Sequence, residues 1–183
     1  MGSLKIKKLS AKEYILYSSI IAIGIILDQI TKWLSAEFLS KIETLPLIKG
    51  VLHLTYVENR GAAFGMFADK RWVFMITSTV MIIVLSAYLY LGLSENKLYA
   101  VSIAMIISGG IGNMIDRIAL RYVVDFIDFR LINFAVFNGA DSFVCVGAGM
   151  LILALVIDLV KEFKAEKAKK LAEAEASAEA TEE

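Results

Sequence analysis

Cysteine, histidine and proline occur once each in the 183 residues, as Cys145, His53 and Pro46. A single cysteine excludes an internal disulfide. A single histidine leaves no HExxH motif and no Cys/His cluster, so no zinc site and no other metal or cofactor is expected. An excess of one charge sign is also missing. The 19 basic and 19 acidic residues cancel to a formal net charge of zero, which says nothing about a nucleic-acid partner; none is expected of a chain built from membrane spans.

Apolar residues are abundant. They make up 58% of the chain, with a mean hydropathy of +0.68, against about 45–50% in ordinary soluble domains. The excess lies in long runs. Tyr14–Leu27 is uncharged and continues past Asp28 and Lys32 to about Leu34; Trp72–Leu93 and Leu98–Ile115 carry no charge; Leu131–Ile157 carries only Asp141. A helix needs roughly 20 apolar residues to cross a hydrocarbon core about 30 Å thick. The runs therefore predict a mainly α-helical membrane protein with four spans near 13–36, 71–93, 97–118 and 138–160. The lysines Lys5, Lys7, Lys8 and Lys12 before the first run suggest a cleaved signal peptide. Yet the run is longer than a ~7–15-residue signal core, and no small-x-small cleavage site follows it, so it reads as a span. One transmembrane domain, residues 1–160, is expected, followed by a charged tail, 161–183, part helical and then disordered.

An even number of spans puts both ends on one side. Lys5 to Lys12 at the start and Lys161, Lys164, Lys167, Lys169 and Lys170 near the end make that side cytoplasmic by the positive-inside bias. Segments 35–71 and 116–136 then face outward. They carry Lys41, Lys49, Arg60, Lys70, Arg71, Arg117, Arg121 and Arg130, so the bias is not clean. The segment Val51–Val57 is β-branched and aromatic, with Pro46 and Gly50 before it and Gly61 after. That pattern predicts one or two short strands, forming a small sheet on the outer face within about 44–65.

Charged groups in or beside spans are costly to place there and are functional candidates by default. Asp125 follows the third run and Asp141 opens the fourth, so the topology brings both carboxylates to similar depth near the outer surface. Two neighbouring carboxylates share a proton. One can activate water while its protonated partner polarises a carbonyl or protonates a leaving nitrogen, without metal, histidine or cysteine. On spacing alone a helix cap or a surface role is the commoner reading for either residue, Asp141 standing where an N-cap belongs. Other polar groups cluster at the same level. Asn113 and Arg117 share a helix face at i,i+4 spacing, Asp116 lies beside them, Asn138 precedes Asp141 by three, and Asn59 opens Asn59-Arg60-Gly61-Ala62-Ala63-Phe64-Gly65. Asp28 and Lys32, also i,i+4, read as a snorkelling ion pair at the end of the first span. Gly109-Gly110-Ile111-Gly112 reads as a close helix contact. Cys145, Met75 and Met81 read as lipid-facing or packing residues.

Five segments occur in order: Asp28-Gln29-Ile30-Thr31-Lys32, Asn59 to Gly65, Gly110-Ile111-Gly112-Asn113-Met114-Ile115-Asp116-Arg117, Val123-Val124-Asp125-Phe126-Ile127-Asp128 and Phe137-Asn138-Gly139-Ala140-Asp141. Together they resemble the bacterial lipoprotein signal peptidases, or signal peptidase II, over about Asp28 to Gly147. The resemblance implies an intramembrane aspartyl peptidase of the bacterial cytoplasmic membrane, with its site near the outer face. Its substrates would be lipid-modified prolipoproteins, cut just before the diacylglyceryl-cysteine, and membrane lipids would surround it. Asp125 and Asp141 match the family's catalytic aspartates. Asn59, Asn113, Arg117 and Asn138 match residues that line the site, with Gly61 in the same motif as Asn59. Asp28, Lys32 and Asp116 match structural positions nearby. Two departures stand out: Ala135, where many relatives have proline, and a rather short stretch between Asp125 and Asp141. A small proton- or ion-coupled transporter is the rival reading, but the acids lie near span ends and no internal repeat appears. A non-catalytic membrane scaffold would leave the convergence of polar residues unexplained.

Overall fold

In the computed structural model, which describes residues 8–61, 71–93 and 96–182, the apolar runs become four long helices. These are α1 (Ala11–Phe38), α2 (Arg71–Tyr90), α3 (Lys97–Ala119) and α4 (Gly139–Glu182). Each is long and apolar enough to cross a membrane, and among the described residues there are four such helices. Their apolar faces point outward: Ile76 and Ile83 on α2 and Ile152 and Leu153 on α4 are among many exposed aliphatic side chains. That is inverted for water and ordinary for lipid. The link around Ser94 and the motif residues Ala62 to Gly65 lie outside the described residues.

Local signals start the helices where polar residues allow. Ser10 Oγ accepts the Glu13 N–H at 3.3 Å, and the Glu13 carboxylate accepts the Ser10 N–H at 2.9 Å, a reciprocal cap on α1. Asn96 caps α3 by accepting the Leu98 N–H at 2.9 Å. At the far end α4 runs on through the lysine- and glutamate-rich tail to Glu182, further than the frayed end expected from composition. Strong helix formers and i,i+4 pairs such as Glu166–Lys170 favour that extension.

The middle of the bundle is α3. Half of its apolar window is buried, against 6% for α2, and it packs on each of the other three helices. Tyr17 of α1, Leu89 of α2 and Ala100, Ile103, Ala104 and Ile107 of α3 form one buried cluster. Small residues set the approach of α3 to its neighbours. A Cβ on Gly109 would collide with the Ala140 carbonyl oxygen, and one on Gly112 would lie 2.5 Å from the Asp28 carboxylate. The glycine-rich segment is thus a close packing face, as its sequence suggested.

At one end of the helices sits a three-stranded antiparallel sheet in the order β1 (Thr44–Ile48), β2 (Leu52–Asn59), β3 (Val123–Phe129). The first two strands lie where expected. The third was not anticipated: it joins α3 to α4, so the sheet draws on both connections at this end. In register, Val57 faces Asp125 and Asn59 faces Val123. After β3 a 3-10 turn, Arg130–Ile132, and Asn133 with φ 50° reverse the chain. Asparagine is among the few residues that tolerate this left-handed conformation. The returning chain pairs Phe137 with Ile127, the Phe137 N–H donating to the Ile127 carbonyl at 3.1 Å. That return lets a short connection place Asn138 and Asp141 beside β3.

The glycine contact is testable. Gly109→Ala should lower the thermal midpoint of the purified protein by the equivalent of about 1–3 kcal/mol, because its new methyl meets backbone that cannot swing away. Gly149→Ala, with no atom within 4 Å of its Cβ position, should be neutral or mildly stabilising. Equal midpoints for the two variants would contradict the packing described.

Candidate active site

A cavity of ≈ 530 Å³ opens where β2, β3, α3 and the start of α4 meet. Its polar lining includes Asn59, Gly61, Asn113, Arg117, Asp125 and Asp141. Six residues from four separated sequence motifs thereby line one cavity. Most of the remaining lining is apolar, including Phe129, Ile132, Phe134, Ala135, Val136 and Phe137, so Ala135 borders the cavity. Cys145, read as lipid-facing or packing, is exposed and borders the same cavity.

Each aspartate is held by neutral amides. Asn59 Nδ2 donates to Asp125 Oδ2 at 2.8 Å, and Asn138 Nδ2 donates to Asp125 Oδ1 at 2.7 Å. Asn113 Nδ2 donates to Asp141 Oδ1 at 2.7 Å. Asp141 is not the N-cap that its position suggested. Asn138 is: its Oδ1 accepts the Asp141 N–H at 3.0 Å, while Asp141 Oδ2 accepts the Asn138 N–H at 3.2 Å. The reciprocal pair is a capping box built from asparagine and aspartate. It turns one oxygen of Asp141 to the backbone and leaves the other to Asn113. Asn138 is fully buried behind the two aspartates and donates to Asn113 Oδ1 at 3.0 Å as well as to Asp125. Arg117 lines the cavity, its Nη1 donating to the Asn113 carbonyl at 3.3 Å and its guanidinium lying 5.6 Å from the centre of the Phe74 ring.

Behind this layer, Asp28 and Lys32 do not snorkel. They are 1% and 3% exposed. Lys32 Nζ contacts Asp28 Oδ2 at 2.9 Å and Asp116 Oδ2 at 3.0 Å, and donates to Asn113 Oδ1 at 2.9 Å. The correction has a simple cause: Asp116, distant in sequence, supplies a second buried carboxylate that keeps the ammonium inside. Gln29, which sequence reading left unassigned, bridges the same carboxylates, donating to Asp28 Oδ2 at 3.2 Å and Asp116 Oδ1 at 3.0 Å. Its place in the Asp28–Lys32 motif was the available signal.

The two aspartates of β3 sit in opposite environments. Burial pushes the Asp125 carboxyl up to about 6 from its ordinary 3.8; the Asn59 amide opposes this, the Asp141 carboxylate adds to it, and Asn138 and Lys32 oppose it. Asp128 is buried too, which raises its carboxyl, but hydrogen bonds from Arg130 at 2.9 Å and Thr55 at 2.7 Å outweigh this and hold it below the ordinary range. A carboxyl poised near neutrality, beside a second carboxylate in a cavity, is the arrangement general acid–base chemistry requires.

Four spanning helices, a surface sheet and a carboxylate-lined cavity define a multi-pass membrane enzyme. The sequence model of the family described as signal peptidase (SPase) II matches residues 20–157, and the chain belongs to that family. A lipoprotein signal peptidase of Caldanaerobacter subterraneus subsp. tengcongensis is 54% identical over 129 residues, covering 70% of this chain and 88% of that protein. The lipoprotein signal peptidase of Halalkalibacterium halodurans is 39% identical over 156 residues, covering 84% and 98%. A solved bacterial membrane enzyme superposes with a TM-score of 0.75 at 30% identity, covering 85% of this chain and 94% of that one.

Because Asp125 has a raised folded-state pKa, its contribution to stability is fully present below about 3.8 and is lost as the pH rises through about 6. Asp125→Asn has no such loss. The difference in thermal midpoint between Asp125→Asn and wild type should therefore move in the variant's favour by several degrees between pH 4 and pH 7. A constant difference across that range would show that Asp125 does not titrate there.

Proposed function

We propose that the chain is an aspartic endopeptidase that removes signal peptides from diacylglyceryl-modified prolipoproteins, cutting just before the lipidated cysteine. The observation that carries this reading is that Asp125 and Asp141 line one cavity while neutral amide N–H groups hold each carboxylate in place. Water between the carboxylates attacks the scissile carbonyl. The ionised member of the pair takes the water proton, and the protonated member hydrogen-bonds the carbonyl oxygen as charge develops there. The tetrahedral intermediate then collapses, with a proton delivered to the leaving nitrogen. Asn59 and Asn138 orient Asp125, Asn113 orients Asp141, and Gly61 and Arg117 border the substrate space.

The substrate fits the cavity's two sides. A signal peptide is an apolar helix and the modified cysteine carries acyl chains, so the scissile bond reaches the enzyme from lipid. The apolar wall from Phe129 to Phe137 suits that approach, and the carboxylates supply the polar step. In this reading both termini are cytoplasmic, the sheet lies on the outer membrane surface, and the membrane is the bacterial inner one.

The test uses a diacylglyceryl-cysteine peptide and purified protein in proteoliposomes. Asp125→Asn and Asp141→Asn should each leave insertion intact and each lower cleavage by ~10⁴-fold or more, at or beyond the upper end for losing acid–base catalysis. Asp128→Asn, held by Arg130 and outside the cavity, should cost much less. Arg117→Ala should lower both cleavage and stability. The wild-type pH–rate profile should be bell-shaped, with limits belonging to the pair. Substantial turnover by either Asp125→Asn or Asp141→Asn at matched stability would sink the mechanism.

A further inference from the structure

The buried Lys32 cluster touches the backbone beside both aspartates. Asp28 Oδ1 accepts the Ala140 N–H at 2.7 Å, one residue before Asp141. Asp116 Oδ2 accepts the Val124 N–H at 3.1 Å, one residue before Asp125. Lys32 Nζ joins these two carboxylates. Its remaining donor goes to Asn113 Oδ1, which also accepts from Asn138. With its oxygen doubly occupied, Asn113 has only its NH₂ group to offer Asp141.

We infer that Lys32 is a positioning residue for the proposed reaction, setting the separation of Asp125 and Asp141 through Asp116 and Asp28 and the orientation of Asn113 toward Asp141. The inference rests on the aspartic-peptidase reading of the same site. A lysine at the end of a spanning helix would do none of this if it reached the interface; here all three of its donors are used inside the protein. A fixed positive charge behind the pair also biases both carboxyls toward ionisation. The charged and titratable groups around the pair are Asp28 and Lys32 from α1, Asp116 and Arg117 from α3, and the two aspartates themselves on β3 and α4.

Lys32→Met alone leaves two buried carboxylates facing each other and risks misfolding. The double variant Asp28→Asn with Lys32→Met removes one charge of each sign and so keeps the balance of the cluster. The new amide oxygen still accepts the Ala140 N–H, and Gln29 still reaches Asp116. In proteoliposomes with the lipidated peptide, the double variant should show kcat lowered ~10–100-fold with KM within about threefold, since the substrate-facing wall is untouched. Both limits of its pH–rate profile should lie at higher pH than those of Asp28→Asn, because the two variants differ only by the Lys32 cation, whose loss makes each carboxyl harder to ionise. Asp28→Asn alone removes an anion and should not move those limits upward. A purely structural Lys32 would lower the amount of folded protein and leave the limits of the two variants equal. Wild-type kcat in the double variant, with limits equal to those of Asp28→Asn, wild type active and Asp125→Asn inactive, overturns this inference and leaves the peptidase reading standing. No cleavage by wild type overturns both.

Discussion

An ammonium group among apolar helices must have its charge balanced and its three N–H donors used, or its burial becomes strongly unfavourable. Lys32 meets both conditions through Asp28, Asp116 and Asn113. Those partners do not sit on one element. Asp28 lies one turn back on α1, and Asp116 and Asn113 on α3, while the two carboxylates extend to the backbone of β3 and α4. Satisfying one side chain thus fixes four elements relative to one another. The close approach that this needs is supplied by Gly112, whose missing Cβ leaves the space taken by the Asp28 carboxylate. Among the described residues no buried side-chain polar atom lacks a partner, which is what a low-dielectric interior demands.

The same economy separates the chemistry of two aspartates on one strand. Asp128 meets a guanidinium directly and stays an anion through the physiological range. Asp125 accepts hydrogen bonds from the amides of Asn59 and Asn138, with Lys32 acting on it from behind Asn113 and Asp116, and its carboxyl sits near 6. Amide donors fix a carboxylate's direction while opposing its protonation far less than a full charge would. Direct contact between Lys32 and the pair would tie up the proton that the proposed acid–base catalysis needs. Holding the lysine against Asn113 keeps the geometric benefit and weakens the electrostatic one.

The four helices were legible because lipid requires long uncharged runs, and those runs stand out in one dimension. The hairpin of β1 and β2 was legible from Val51–Val57 and its flanking glycines. Strand β3 was not. Its residues Val123 to Phe129 are β-branched and aromatic, but Asp125 and Asp128 drew the reading toward chemistry, and no turn residue marks its pairing with distant β2. Local i,i+4 spacing suggested that Asp28 and Lys32 pair, as they do, yet their burial depended on Asp116, which no local pattern could supply. Asp141 read as a cap because capping and catalysis favour the same residue type at a helix start; only the reciprocal bonds with Asn138 show that the cap is shared. The apolar wall from Phe129 to Phe137 was absorbed into the fourth hydrophobic run, since hydropathy alone does not distinguish a chain that faces lipid from one that faces a cavity.

Those last residues explain why the site belongs at the end of the helices and not midway along them. In the proposed reaction hydrolysis needs water and ionisable groups, whereas the acylated substrate favours lipid. Backbone that is neither helix nor sheet is tolerated at membrane depth only where protein or water satisfies it. The return from Asn133 to Phe137 meets that condition by pairing with Ile127 on the sheet, and Phe134 to Phe137 give the cavity an apolar lining. The same cavity is bordered by the amide-held carboxylates, stabilised from behind by the lysine cluster. The sheet is therefore part of the site and not an appendage to it: β2 contributes Asn59, β3 contributes Asp125, and the edge of β3 holds the segment that delivers Asp141. Removing the sheet would leave four helices with Asp141 on one of them and nothing to place Asp125 opposite.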